Sequence, residues 1–110
     1  MSETEFLDLA EATLASLEAA AERLAEECDL DIEVNRRGNV LELDLQGGKL
    51  IINSQAPMQE MWVAARSGGF HYRREAGQWI DTRSGKEMLA ALSEILSQQL
   101  GEPVELKATL

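Results

Sequence analysis

The chain has 110 residues, 45% of them hydrophobic, and carries 20 acidic against 10 basic side chains, a net charge of −10. That length suits a single domain, 1–110, with its own core, and no apolar run reaches the roughly 18 residues that a membrane span needs. So large an excess of acid repels phosphate, which argues against nucleic acid and anionic membranes as partners and favours metal cations or a basic protein surface.

The start, Met1 to Phe6, is acidic and polar, unlike a secretory signal or an Arg-rich transit peptide, so a cytoplasmic protein is expected. Cys28 has no partner for an internal disulfide, and one cysteine is too few for a cysteine metal site. The charge is unevenly placed. Residues 1–33 hold eleven acids against the single base Arg23, which accounts for all of the −10; the other nine acids and nine bases cancel.

Apolar residues Phe6, Leu9, Ala10, Thr13, Leu14, Leu17, Ala21 and Leu24 recur at steps of three and four, which predicts a helix over 4–27 capped by Ser2 or Thr4. The period then becomes two. Leu30, Ile32 and Val34 alternate with Asp29, Asp31, Glu33 and Asn35, a half-buried strand. "RRGN" reads as a turn, and Leu41, Leu43 and Leu45 mark a second strand ended by Gly47-Gly48. Further strands are predicted at 49–54, 59–66, 70–75 and 78–81, with connections short enough for antiparallel hairpins. A second helix opens at "SGKE", where Ser84 and Glu87 fit a capping box. Its apolar face is Met88, Leu89, Leu92, Ile95, Leu96 and Leu100, and Gly101 and Pro103 stop it. Val104 and Leu106 leave a tail with two side chains to bury. The expected fold is α+β: a two-layer sandwich in which an antiparallel sheet of about six strands is covered on one face by the N- and C-terminal helices.

"EECDLDIEVN" puts acid where a helix end favours base. Glu18, Glu22 and Glu26 form one column on the helix, and like charges at that spacing repel by about 0.2–0.5 kcal/mol per pair. Glu26 and Glu27 oppose the helix dipole, while Arg23 is placed to offset Glu27. Asp29, Asp31 and Glu33 are expected to continue the column along the strand. The cost, about 1–3 kcal/mol, is a sizeable part of a small domain's stability. A solvated face kept for solubility is the plain alternative. As ligands, these carboxylates suit iron, manganese, calcium or magnesium; no His or Cys framework supports zinc and no EF-hand loop is present. Binding there should be weak and multi-site. The same charge suits a Lys/Arg-rich protein surface.

In "QEMWVAAR", Glu60, Trp62, Ala64 and Arg66 share one strand face, opposite Gln59, Met61, Val63 and Ala65. Trp62 is thus expected on the open face of the sheet, with Asn53 and Gln55, as either an interface anchor or a cross-strand packing residue. His71 reads as a strand histidine bonded to its neighbours. No nucleophile elbow, phosphate loop or triad is present, so no catalytic residue is assigned and the chain is not expected to be an enzyme.

"IINSQAPMQEMWVA" (51–64), "GGFHY" (68–72) and "WIDTRSG" (79–85), together with the acidic first helix and "DLDIEVN", resemble the frataxin family, most closely its bacterial, CyaY-type members. The family pattern is I-I-N-x-Q-x-P-x-x-Q-x-W, then G-G-Y-H-F and W-x-x-x-R-S-G, and the resemblance covers nearly the whole chain. It implies an α-β-α two-layer fold. It also implies an iron-binding accessory protein of iron–sulfur cluster assembly, which acts with a cysteine desulfurase and the cluster scaffold protein and adjusts assembly in response to iron. By position, the family's acidic ridge falls on Glu18, Glu22, Glu26, Glu27, Asp29, Asp31 and Glu33, with Glu18 and Glu22 also facing the desulfurase. The family's sheet contacts fall on Asn53, Gln55 and Trp62. A monomer with iron-dependent oligomers is implied, as is weak iron oxidation at most. Ala19, Ala25 and Arg23 depart from the acidic pattern; Ser54 replaces a commonly basic residue and Glu60 a common glutamine, changes expected to alter the sheet-face contact. Two other readings stand beside this one: iron storage with ferroxidase activity, and an acidic adaptor that needs no metal.

Overall fold

Ser2 opens the first helix, α1 (Glu3–Glu27), through a capping box: its hydroxyl accepts from the Glu5 N–H, and the Glu5 carboxylate accepts from the Ser2 N–H, both at 3.1 Å. Of the two candidate caps only Ser2 is used. The helix buries Phe6, Ala10, Thr13, Leu14, Leu17, Ala20 and Ala21, the face its apolar spacing specifies. It ends without a basic residue in its last turn; the chain reverses through Asp29 at φ +50°, with the Leu30 N–H on the Ala25 carbonyl at 2.9 Å.

The computed structural model describes all residues, Met1–Leu110. Six strands follow α1: β1 (Glu33–Arg37), β2 (Val40–Leu45), β3 (Gly48–Gln55), β4 (Glu60–Ala65), β5 (Gly68–Glu75) and β6 (Gln78–Asp81), then the second helix, α2 (Met88–Leu100). They form one sheet in the order β1-β2-β3-β4-β5-β6, with every neighbour antiparallel. This is the expected α+β sandwich. Leu41, Leu43, Leu45, Leu50, Ile52, Met61, Val63, Tyr72 and Trp79 point to the helices and join α1 and α2 in one hydrophobic cluster. The opposite sheet face is open. Leu106 of the C-terminal tail is buried and Val104 half-buried, held by Ser93 and Ser97 through hydrogen bonds of 2.9 Å to the Leu106 and Val104 N–H groups.

Most boundaries shift by one or two residues from the sequence expectation, and three departures are larger or change a contact. The first strand starts at Glu33, because the left-handed turn at Asp29 delays pairing; Leu30, Ile32 and Val34 still alternate in exposure with the acids. The turn expected at "RRGN" shrinks to Gly38-Asn39, since Arg36 and Arg37 pair with Leu41 and Val40. The capping box expected from Ser84 does not form. Glu87 is itself the N-cap, its carboxylate accepting from Leu89 and Ala90 at 2.7 and 3.2 Å, while the Ser84 hydroxyl accepts from the Lys86 N–H.

Trp79 ties the layers together. Its ring is fully buried, meets the Phe6 ring edge-on at 6.2 Å and lies 5.3 Å from the Arg74 guanidinium. Its indole N–H donates to the Thr13 hydroxyl at 3.1 Å. Thr13→Val keeps the shape and leaves a buried donor unpaired, so urea unfolding should show a loss of about 1–3 kcal/mol; a change below 0.3 kcal/mol would refute this role.

Candidate functional site: an acidic edge and an open sheet face

The acidic edge follows α1 into β1. Glu22, Glu26, Glu27, Asp29, Asp31 and Glu33 are all exposed, and no basic group lies within 4.0 Å of any of them. Glu18 differs. It is half-buried, and the Arg36 guanidinium, itself paired with Glu11, lies 3.5 Å from its carboxylate. Hydrogen bonding to Glu11, with the charges of both acids, outweighs partial burial and raises the Arg36 pKa. The column therefore has a base at its N-terminal end, which the sequence does not reveal because "RRGN" reads as a turn. Arg23 does not offset Glu27 as expected; its guanidinium donates to the Lys107 carbonyl at 3.3 Å, leaving the helix end uncompensated.

Asp29 and Asp31 precede the strand, so the expected strand column is carried by Glu33 alone, directly across from Asp44. Like charges in that position repel, and Asp44 in turn faces Lys49. Carboxylates remain a suitable donor set for a hard cation, but no three His, Cys, Asp or Glu groups are close enough together to cage one. What the edge offers is a field and several single ligands.

The open face is set by register. Asn53 pairs with Trp62, Gln55 with Glu60, Trp62 with His71 and Glu60 with Arg73, so Asn53, Gln55 and Trp62 meet in one patch. The Trp62 and His71 rings stack at 4.3 Å with planes 7° apart. Two expectations fail here. Ser54 is buried on the helix side of the sheet, so its side chain cannot change the open face. Arg66 lies beyond β4, its guanidinium on the Gly47 carbonyl at 3.2 Å.

Glu60 also departs from expectation. It lies on the open face yet is only 3% exposed. Its carboxylate accepts from the Trp62 indole at 2.9 Å and from Arg73 at 2.7 Å, with His71 Nδ1 at 3.5 Å. Burial alone would raise its pKa, but those hydrogen bonds and the Arg73 and His71 charges outweigh it and hold the carboxyl below its usual range. His71, expected to bond its strand neighbours, instead stacks on Trp62 and lies 3.5 Å from the Glu60 carboxylate without a side-chain hydrogen bond. Sequence reasoning missed Arg73 and the burial of Glu60; the only signal was that Glu60 and Arg73 are both on open-face positions of adjacent strands.

A frataxin-like domain matches residues 1–102 of the chain. The chain belongs to the frataxin family. It is 58% identical over 109 residues to the iron-sulfur cluster assembly protein CyaY of Janthinobacterium sp. (strain Marseille), covering 97% of each chain. It is 59% identical over 110 residues to the protein of the same name from Ralstonia pickettii (strain 12J), covering 98% of this chain and 96% of the relative. Among solved structures, frataxin from Psychromonas ingrahamii superposes with a TM-score of 0.81 at 36% identity, covering 97% of this chain and 99% of that one. Trimeric frataxin from Saccharomyces cerevisiae, complexed with ferrous iron, superposes with a TM-score of 0.75 at 26% identity over 84% and 86% of the two chains.

In this frataxin the two ends of the acidic column should respond oppositely to neutralisation. Glu22→Gln with Glu26→Gln removes repulsion between neighbours and an unfavourable dipole charge, and should raise stability by about 0.5–1.5 kcal/mol at low salt. Glu18→Gln breaks the pair with Arg36 and should lower it by about 0.2–1 kcal/mol. Thermal melts at low and 1 M salt check both: the gain should vanish at high salt. Equal signs for the two variants would refute the assignment.

Proposed function

We propose that this chain is an iron-responsive accessory protein of iron–sulfur cluster assembly, acting by binding and not by catalysis. Iron, as Fe²⁺ or Fe³⁺, is held weakly on the acidic edge by Glu22, Glu26, Glu27, Asp29, Asp31 and Glu33, with Glu18 at its margin; other divalent cations compete. The same edge, chiefly Glu18 and Glu22, docks on a basic surface of cysteine desulfurase. The patch of Asn53, Gln55 and Trp62 meets the desulfurase–scaffold assembly. The name shared by the CyaY relatives supports the pathway. The observation that carries the rest is the run of exposed acids, none paired with a base, at a helix end that ordinarily favours cations.

The physical link between iron and regulation is charge. Each bound cation lowers the negative potential of the edge, and so weakens attraction to a basic partner and the rate of encounter. Hard carboxylate donors favour iron over softer chemistry, and their openness suits an ion that must leave again. A second reading, storage of iron in oligomers, is favoured by one observation, the trimeric yeast relative complexed with ferrous iron.

The test is an anaerobic Fe²⁺ titration of ¹⁵N-labelled protein, with desulfurase binding measured in parallel. Signal loss should be confined to residues 18–33. Glu22→Gln, Glu26→Gln and Glu27→Gln together should weaken both iron and desulfurase binding, the latter by roughly tenfold at low salt. Iron-induced trimers detected by sedimentation would favour storage. Unchanged desulfurase affinity in the triple variant would overturn the docking surface.

A further inference from the structure

We infer that Glu60 is a positioning residue of the open face: its buried carboxylate, neutralised by Arg73, clamps Trp62 and His71 into one stacked platform that is formed before any partner arrives. This rests on the reading of Trp62 as a docking residue and adds what holds it in place.

A carboxylate on the open side of a sheet should reach water, and Glu60 does not. One oxygen takes the Trp62 indole N–H at 2.9 Å and faces His71 Nδ1 at 3.5 Å; the other takes Arg73 at 2.7 Å. Burying a charge is costly unless it is paired and hydrogen-bonded, and here both conditions are met by open-face neighbours. Trp62 and His71 are cross-strand partners whose rings lie 4.3 Å apart and 7° from parallel. The indole hydrogen bond to that oxygen fixes the rotation of the Trp62 ring, and His71 lies stacked against it with Nδ1 3.5 Å from the same oxygen. A large aromatic side chain on a sheet surface otherwise samples several rotamers, and ordering it on binding costs affinity. The clamp removes that cost in advance.

The experiment records the indole N–H signals of Trp62 and Trp79, assigned with Trp62→Phe, in the free protein. In Glu60→Ala the Trp62 signal should move upfield and exchange with water at least about tenfold faster, while Trp79, bonded to Thr13, stays in place. Glu60→Gln keeps an acceptor oxygen and should retain most of the wild-type signal. An unmoved Trp62 signal in Glu60→Ala overturns the clamp.

The wild-type protein supplies a second reading that needs no variant to fold. The groups facing Glu60 are Trp62 on its own strand, His71 and Arg73 on β5 and Gln55 on β3. None is a second carboxylate, so a shift of the Trp62 indole signal in the acid range reports Glu60. Because the Glu60 pKa is lowered, the charged form of the clamp is present above the usual carboxylate range and, as pH falls through the lower, folded value, gives way to a neutral acid that still accepts from the indole but no longer ion-pairs with Arg73. The Trp62 signal should therefore shift toward its Glu60→Gln position with a midpoint below pH 4.5; a midpoint above that pH overturns the proposal. Against purified desulfurase–scaffold complex, Glu60→Ala should bind about two- to tenfold more weakly. If Trp62→Ala binds as tightly as wild type, the docking reading falls, while the indole signals still decide the clamp.

Discussion

Every strand of the sheet turns one face inward, and two helices with a short C-terminal tail are what the chain provides to cover it. This one-sided burial governs the rest of the structure. It places Leu41, Leu43, Leu50, Ile52, Met61, Val63 and Tyr72 against α1 and α2, and it leaves every intervening residue on a broad surface without a second layer. The indole of Trp79 secures the arrangement, because its N–H needs an acceptor inside the core and Thr13 on α1 is the one it finds. A domain whose sheet were covered on both faces would have no room for the Trp62 patch.

The same constraint explains where the charge goes. With one face of α1 committed to the core, its acids are confined to the outer side and to the link with β1. Arg36 takes up the charge of Glu11 and Glu18, and Arg23 is occupied by the Lys107 carbonyl. The uncompensated part of the edge therefore runs from Glu22 onward, past the helix end. Repulsion there is tolerated because the hydrophobic cluster supplies the stability.

The two surfaces differ in how they are built. The acidic edge is exposed, multivalent and loosely placed, suited to reversible cations and to long-range steering. The open face is ordered by contact: ladder register fixes the neighbours, and a buried carboxylate fixes the rings. In the proposed reading the first surface serves attraction and the second registration.

How much of this was legible beforehand follows from the range of the interactions involved. The helix and strand periods, the hairpin order, the concentration of acid in the first third and the sharing of one face by Asn53, Gln55 and Trp62 can be read along the chain, because periods of 3.6 and 2 and short turns are local properties. The turn at Arg36-Arg37 and the cap at Ser84 cannot, because there a local pattern fits two solutions and tertiary contacts choose. That Arg36 reaches back to Glu11 and Glu18, that Arg23 turns away from Glu27 and that Glu60 is buried beneath Trp62 and Arg73 emerges from the folded arrangement alone. Those outcomes depend on which residues lie opposite each other across strands and layers, and pairing between elements distant in sequence is settled by the packing of the whole sheet, not by any window of the chain.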